Sequence, residues 1–186
     1  MSKSLDNIID PLDMVNKYSA DATRLSLIIG TGPGNDMKLS EDKVRGYKNF
    51  GNKIWNITRF ILASCSTADL ISDFNDYEKC DDEIREERDN LLIDITSDMD
   101  NYRYYLAGEK LYHYIWHNFA DKVLEDSKKI FESDNEKQKK SRKQILLHTL
   151  DKMLRALHPF MPYVTEEIWQ EIKKGKSLLM IEKWPI

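Results

Sequence analysis

Between positions 45 and 59, Arg45, Asn49, Asn52, Asn56 and Arg59 recur at steps of four and three, which on an α-helix places them along one side. The set contains hydrogen-bond donors and no carboxylate. Such a stripe suits phosphate oxygens and the edges of nucleic-acid bases better than a face that only meets water. Lys48 lies in the same stretch: from Lys43 to Arg59 the chain carries Lys43, Arg45, Lys48, Lys53 and Arg59 without one acidic residue. Other chemistry-bearing side chains form no comparable group. His113 and His117 stand four apart, but a metal site needs further ligands that the spacing does not offer, so no bound metal is expected. His158 precedes Pro159 at a predicted helix end, a capping or packing position. Glu166 and Glu167 follow Thr165, which reads as a helix cap and not as part of an acid–base pair. Cys65 and Cys80 form no CxxC or Cys/His pattern and are read as free thiols.

The element that positions the donor stripe is a helix starting at the N-cap Ser40, with Glu41 and Asp42 in its first turn, and running to about Ala63. Its opposite side carries Val44, Tyr47, Gly51, Ile54, Thr58 and Ile61, widened by Phe50, Trp55 and Leu62, and is fit to enter a core. A short helix is predicted after Pro11 and another over about Ala20 to Ile29, ahead of the loop Gly30-Thr31-Gly32-Pro33-Gly34. Further helices are predicted over about Asp82 to Asn101, Ala107 to Phe131, Gln138 to His158 and Tyr163 to Lys173. Leu111, Tyr114, Ile115, Phe119 and Val123 form one core stripe, and Leu146, Leu150, Met153, Leu154 and Leu157 another. The tail from Ser177 to Pro185 is predicted to pack as a short extended strap. The fold class is therefore all-α: a helical bundle with a short helical connector before it.

Composition sets outer limits. With 41% hydrophobic and 32% charged residues the chain reads as a soluble globular protein. The net charge of -4 argues against a protein that coats nucleic acid by charge alone. No apolar run has the roughly 18 to 20 residues of a membrane span, and the first residues lack the apolar core of a signal peptide, so a cytoplasmic location is expected. The acidic stretch from Asp69 to Glu87 reads as a solvated loop and helix start. The basic cluster Lys137, Lys139, Lys140, Arg142 and Lys143 reads as a solvated face.

The opening residues carry a resemblance. Met1-Ser2-Lys3-Ser4-Leu5, followed by Asn7, Asp10-Pro11 and Ala20-Asp21-Ala22-x-Arg24, resembles the KMSKS signature and its continuation in class I aminoacyl-tRNA synthetases, with only the leading lysine absent. Gly30 to Met37 and the run Gly46-Tyr47-Lys48-Asn49-Phe50-Gly51-Asn52-Lys53-Ile54-Trp55-Asn56 look like the valine-specific branch. Leu157-His158-Pro159-Phe160-Met161-Pro162-Tyr163-Val164-Thr165-Glu166-Glu167-Ile168-Trp169 resembles the family's HPF-x-P-x-x-TEE-x-W segment, and Trp184-Pro185 its usual end. The resemblance covers nearly the whole chain. Asp6 and Ser19 stand where glycine is usual, and Lys122-Val123 replaces a common aromatic pair.

The resemblance implies two regions, a KMSKS loop and stem-contact connector over 1–39 and an anticodon-binding helical bundle over 40–186. It implies that Lys3, flanked by Ser2 and Ser4, contacts the ATP triphosphate in the complete enzyme, where ATP and Mg are used to activate valine before its transfer to tRNA(Val). The nucleotide-binding domain, valine pocket and editing domain of such enzymes are not encoded in these residues, so this stretch by itself is expected to bind tRNA without catalysis and to hold no cofactor. Family likeness places Arg45, Lys48, Asn49, Asn52, Asn56, Arg59 and Phe60 beside the tRNA. The Phe60 ring is suited to stacking an unpaired anticodon base next to Arg59. The expected partner is tRNA and neither DNA nor a membrane, with the chain monomeric. The alternatives are the same module from the isoleucyl or methionyl branch, and a helical protein-interaction module without an RNA role.

Overall fold

The computed structural model describes residues 9–30, 32, 34, 36, 39–65 and 77–186. Lys3 and its flanking Ser2 and Ser4 lie outside the described residues, as does most of the Gly30 to Met37 loop beyond Gly30 itself. Two short helices, α1 (Pro11–Lys17) and α2 (Ala20–Ile28), precede the long α3 (Glu41–Ser64). Next comes α4 (Lys79–Asp100), then α5 (Tyr104–His113), which passes without a break into a π-helical stretch (Tyr114–Leu124) and α6 (Glu125–Glu132). The chain then turns into α7 (Glu136–Leu157) and α8 (Pro162–Lys173) and ends in a strap with one 3-10 turn at Leu179–Ile181. No strand occurs among the described residues.

Local chemistry explains where these helices start. Asp10 accepts from the Leu12 N–H at 2.8 Å and Pro11 opens α1. Ser40 caps α3 through the Lys43 N–H at 3.3 Å, and Asn135 caps α7 through the Gln138 N–H at 3.1 Å; each satisfies an otherwise orphaned donor of a first turn. Ser19, at a position where the family resemblance leads one to expect glycine, accepts from the Ala22 N–H at 3.1 Å and caps α2. The departure from glycine therefore has a structural use.

One core joins the bundle. Phe50, Ile54, Ile57 and Ile61 of α3 pack with Leu92 and Ile95 of α4, Leu111 of α5, Phe119 of the π stretch, Leu146, Leu150 and Leu154 of α7 and Trp169 of α8. Burying each such side chain stabilises the fold by about 1.5 to 3 kcal/mol. Leu25 and Ile29 belong to the same core, so α2 is seated on the bundle. Gly108 makes that seat possible: a Cβ there would come within 3.1 Å of Ile29.

Two readings change. The stripe predicted through Val123 slips by one residue, leaving Val123 half-buried and Leu124 buried, because the wider i to i+5 turn of the π stretch rotates the inward face away from a 3.6-residue period. The basic and acidic runs are also not wholly solvated. Asp81 and Arg142 are buried and face each other at 2.5 Å. Ser141 donates to the Asp81 carboxylate at 2.5 Å, and Arg142 reaches Ser127 at 3.2 Å. These contacts lock α4 to α7 and to the start of α6.

Candidate nucleic-acid interface

Helix α3 turns its apolar side inward: Phe50, Ile54, Ile57, Thr58 and Ile61 are buried on the bundle side, and Val44 is buried in a second cluster with Met14 of α1 and Ala22 of α2. This orientation leaves Arg45, Lys48, Asn49, Asn52, Asn56 and Arg59 exposed, spread along a helix whose rise of 1.5 Å per residue puts roughly 20 Å between the ends of the stripe. At the N-terminal end Arg45 is drawn into an ion pair with Asp42, so its charge is partly neutralised. Arg59 at the other end forms no ion pair among the described residues.

Phe60, the next residue, is half-buried. One side of it is occupied by Phe131, with ring centroids 6.3 Å apart and planes 29° from parallel. It also lines a groove of about 220 Å³ together with Lys53, Asn56, Leu124, Glu125 and Lys128. Glu125 is bonded to Lys128 at 2.8 Å, and Lys53 is bonded to Asp121 at 2.9 Å and lies 5.6 Å over the Trp116 ring. Lys53 belongs to the basic run of α3, whereas nothing in the sequence points to Lys128. Lys128 lies 68 positions beyond Phe60, and only the tertiary fold brings them together.

The motifs near the two ends of the chain meet each other. The Asp21 carboxylate, buried, accepts from the backbone N–H groups of Tyr163 at 3.1 Å and Val164 at 2.6 Å, capping α8 from a distant segment. Burial pushes its pKa up, against the pull of those two donors. Arg24 donates to the Pro159 carbonyl at 3.0 Å. Thr165, expected to cap this helix, instead lies within it; its hydroxyl donates to the Met161 carbonyl at 2.8 Å and stands 2.8 Å from the His158 ring. Burial lowers the His158 pKa. Glu166 accepts from the backbone N–H of Leu179 at 3.1 Å and of Met180 at 3.3 Å, and so ties down the C-terminal strap. Trp169 donates to Ser177 at 3.0 Å, and Trp184 donates to Thr96 at 2.8 Å. These residues build structure. His113 and His117 have ring centroids 4.6 Å apart, and among the described residues no group of three or more His, Cys, Asp or Glu is placed to hold a metal ion.

Comparison with known proteins gives this arrangement a family. Residues 81–186 match the family described as anticodon-binding domain of tRNA ligase. The chain belongs to that family. Residues 1–40 match a second family, tRNA synthetases class I (I, L, M and V). Over its whole length the anticodon-binding chain is similar to the valine--tRNA ligases of Enterococcus faecalis, 40% identical over 190 residues, and of Pelagibacter ubique, 40% identical over 198 residues. It spans only about a fifth of those relatives, 21% and 22% of their lengths. Two solved structures share the fold. A LeuRS from Agrobacterium radiobacter in a ternary complex with tRNA and LeuAMS superposes with a TM-score of 0.71 at 22% identity, covering 100% of this chain and 22% of that one. The methionyl-tRNA synthetase of Mycobacterium tuberculosis in its free state gives 0.68 at 18% identity, covering 88% and 34%. No helix among the described residues is long and apolar enough to cross a membrane.

Proposed function

We propose that this anticodon-binding domain recognises valine tRNA as part of a valine–tRNA ligase and holds it so that its acceptor end reaches a catalytic site elsewhere in the enzyme, where valine is activated with ATP and Mg and esterified to the tRNA. The observation that carries the reading is the exposed α3 stripe of Lys48, Asn49, Asn52, Asn56 and Arg59, with Arg45 at its start. Its donors face solvent on a helix whose other side is fixed in the core, a rigid platform for phosphates and base edges. At its end, Arg59 and the groove-lining Phe60 offer an anticodon base a cation and a ring. Similarity to valine--tRNA ligases over the whole of this chain, about a fifth of their length, supports the choice of valine among the class I branches.

Within this reading, residues 1–39 form the KMSKS loop and connector and 40–186 the recognition bundle, a division in keeping with the synthetase match ending at residue 40. Lys3, with Ser2 and Ser4, serves ATP in the complete enzyme by following the charge that grows on the triphosphate oxygens. The domain works as a monomer in the cytoplasm.

Charge reversal tests the platform. Arg59→Glu puts a carboxylate where phosphate or base edges approach, and is expected to weaken binding of valine tRNA at least tenfold in a filter-binding titration. Arg59→Ala is expected to lower the slope of log K against log salt by about one. Unchanged binding by both variants would remove the reading.

A further inference from the structure

Where the α3 stripe passes Lys48 and Asn52, it opens into a groove of about 480 Å³ between α2, α3 and α8, a size within the roughly 300 to 1,000 Å³ of small-molecule sites. Three aromatic residues line it. Tyr18 and Trp55 are half-buried, and Tyr163 is 68% exposed. Lys48 stands over the Tyr18 ring at 5.9 Å and forms no ion pair among the described residues. Asn52 is exposed and makes no hydrogen bond among them. The lining carboxylate, Asp21, is already taken up by the Tyr163 and Val164 N–H groups.

Rings with a π-face, an uncommitted ammonium and an uncommitted amide, with the nearby carboxylate occupied, match a base, its edge and its phosphate. The apolar side of a helix seated here would leave Lys48 and Asn52 without acceptors, since helix carbonyls are bonded internally. The groove is continuous with the face read above as the RNA platform. We propose that it takes one unpaired nucleotide of the bound RNA outside the anticodon triplet, with the base on the Trp55 and Tyr163 rings, its edge at Asn52 and its phosphate at Lys48. This rests on α3 being an RNA face. It is independent of whether the anticodon itself is read at Phe60.

The test follows the Trp55 indole N–H resonance during titration with hexauridylate at low salt. The expected result is a saturable shift of Trp55 that weakens about tenfold in Tyr163→Ala and in Lys48→Ala, with only Lys48→Ala flattening the salt dependence. Both side chains are exposed, so both variants retain the fold, and the Tyr163 backbone bond to Asp21 survives the substitution. A Trp55 resonance unmoved by RNA at millimolar concentration overturns the proposal. So does a shift that neither substitution weakens relative to the unsubstituted protein, or one produced by an apolar helical peptide and not by RNA. A Trp55 response in a protein showing no preference for the valine anticodon would keep the groove and remove the anticodon reading. Anticodon preference without a Trp55 response would do the reverse.

Discussion

Arg142 and Asp81 bury opposite charges against each other between α7 and α4, and each has further hydrogen bonds to satisfy it. Removing one partner leaves the other charged and out of water, so Arg142→Ala is expected to cost about 3 to 5 kcal/mol of stability. Urea denaturation followed by circular dichroism measures it; a loss within about 0.5 kcal/mol, as for an ordinary surface substitution, would contradict the assignment. Neither residue announces this role in the sequence. They sit 61 positions apart inside runs of like charge, and a run of charge records what lies along the chain and not what folds onto it. Tyr102 makes the converse case. Its φ of 59° lies in the left-handed region, its N–H donates to the Met99 carbonyl at 3.1 Å, and the Arg103 N–H donates to the Asp98 carbonyl at 2.8 Å. This is a Schellman ending with tyrosine at the position that favours glycine. Tyr102 is 78% exposed, so Tyr102→Gly relieves backbone strain at little cost in contacts. It is expected to raise stability by about 0.5 to 1 kcal/mol, or about 1 to 4 °C in melting temperature.

Helices and their junctions were largely legible. The N-caps Ser40 and Pro-initiated α1, and the apolar side of α3, follow from local residue types and a 3.6-residue period, which physics imposes irrespective of the rest of the fold. What was hidden is what elements do to each other. The cap of α8 comes from Asp21 on α2, and no local rule finds a cap 142 positions away. Asp21→Ala is expected to cost about 1 to 2 kcal/mol by leaving two first-turn N–H groups unpaired, and to speed amide exchange at Tyr163 and Val164; unchanged exchange there would contradict the capping role. The strap is held similarly. Partial burial alone would raise the Glu166 pKa, but the donors Gln170, Leu179 and Met180 outweigh it and hold the pKa below the ordinary 4.5. A carboxylate depressed in the folded state lends stability that is fully present above its unfolded pKa and is lost as pH falls through the lower folded one. Protection of the Leu179 and Met180 amides, taken as exchange relative to an unstructured chain at the same pH, should therefore be full at neutral pH and be lost only as pH drops below about 4.5; Glu166→Gln should remove it at neutral pH. Protection independent of both would detach Glu166 from the strap.

At the scale of the whole molecule, a helical bundle carries an exposed row of donors on α3, and its early and late segments close on each other through Asp21, Arg24 and Pro159. The exposed face was readable beforehand because a helix that must bury one side necessarily presents the other. The grooves flanking it were not, since Phe60 meets Lys128, and Lys48 meets Tyr163, only after folding. The role proposed for this face is to read valine tRNA. The most direct test is a binding titration of the 186-residue chain against a valine tRNA transcript, the same transcript with its anticodon replaced, and isoleucine and methionine transcripts, each at two salt concentrations. Tightest binding to the valine transcript, loss of that preference when the anticodon is changed, and weakening of all binding with salt are expected. Equal binding of all transcripts, or none at low salt, would contradict that role.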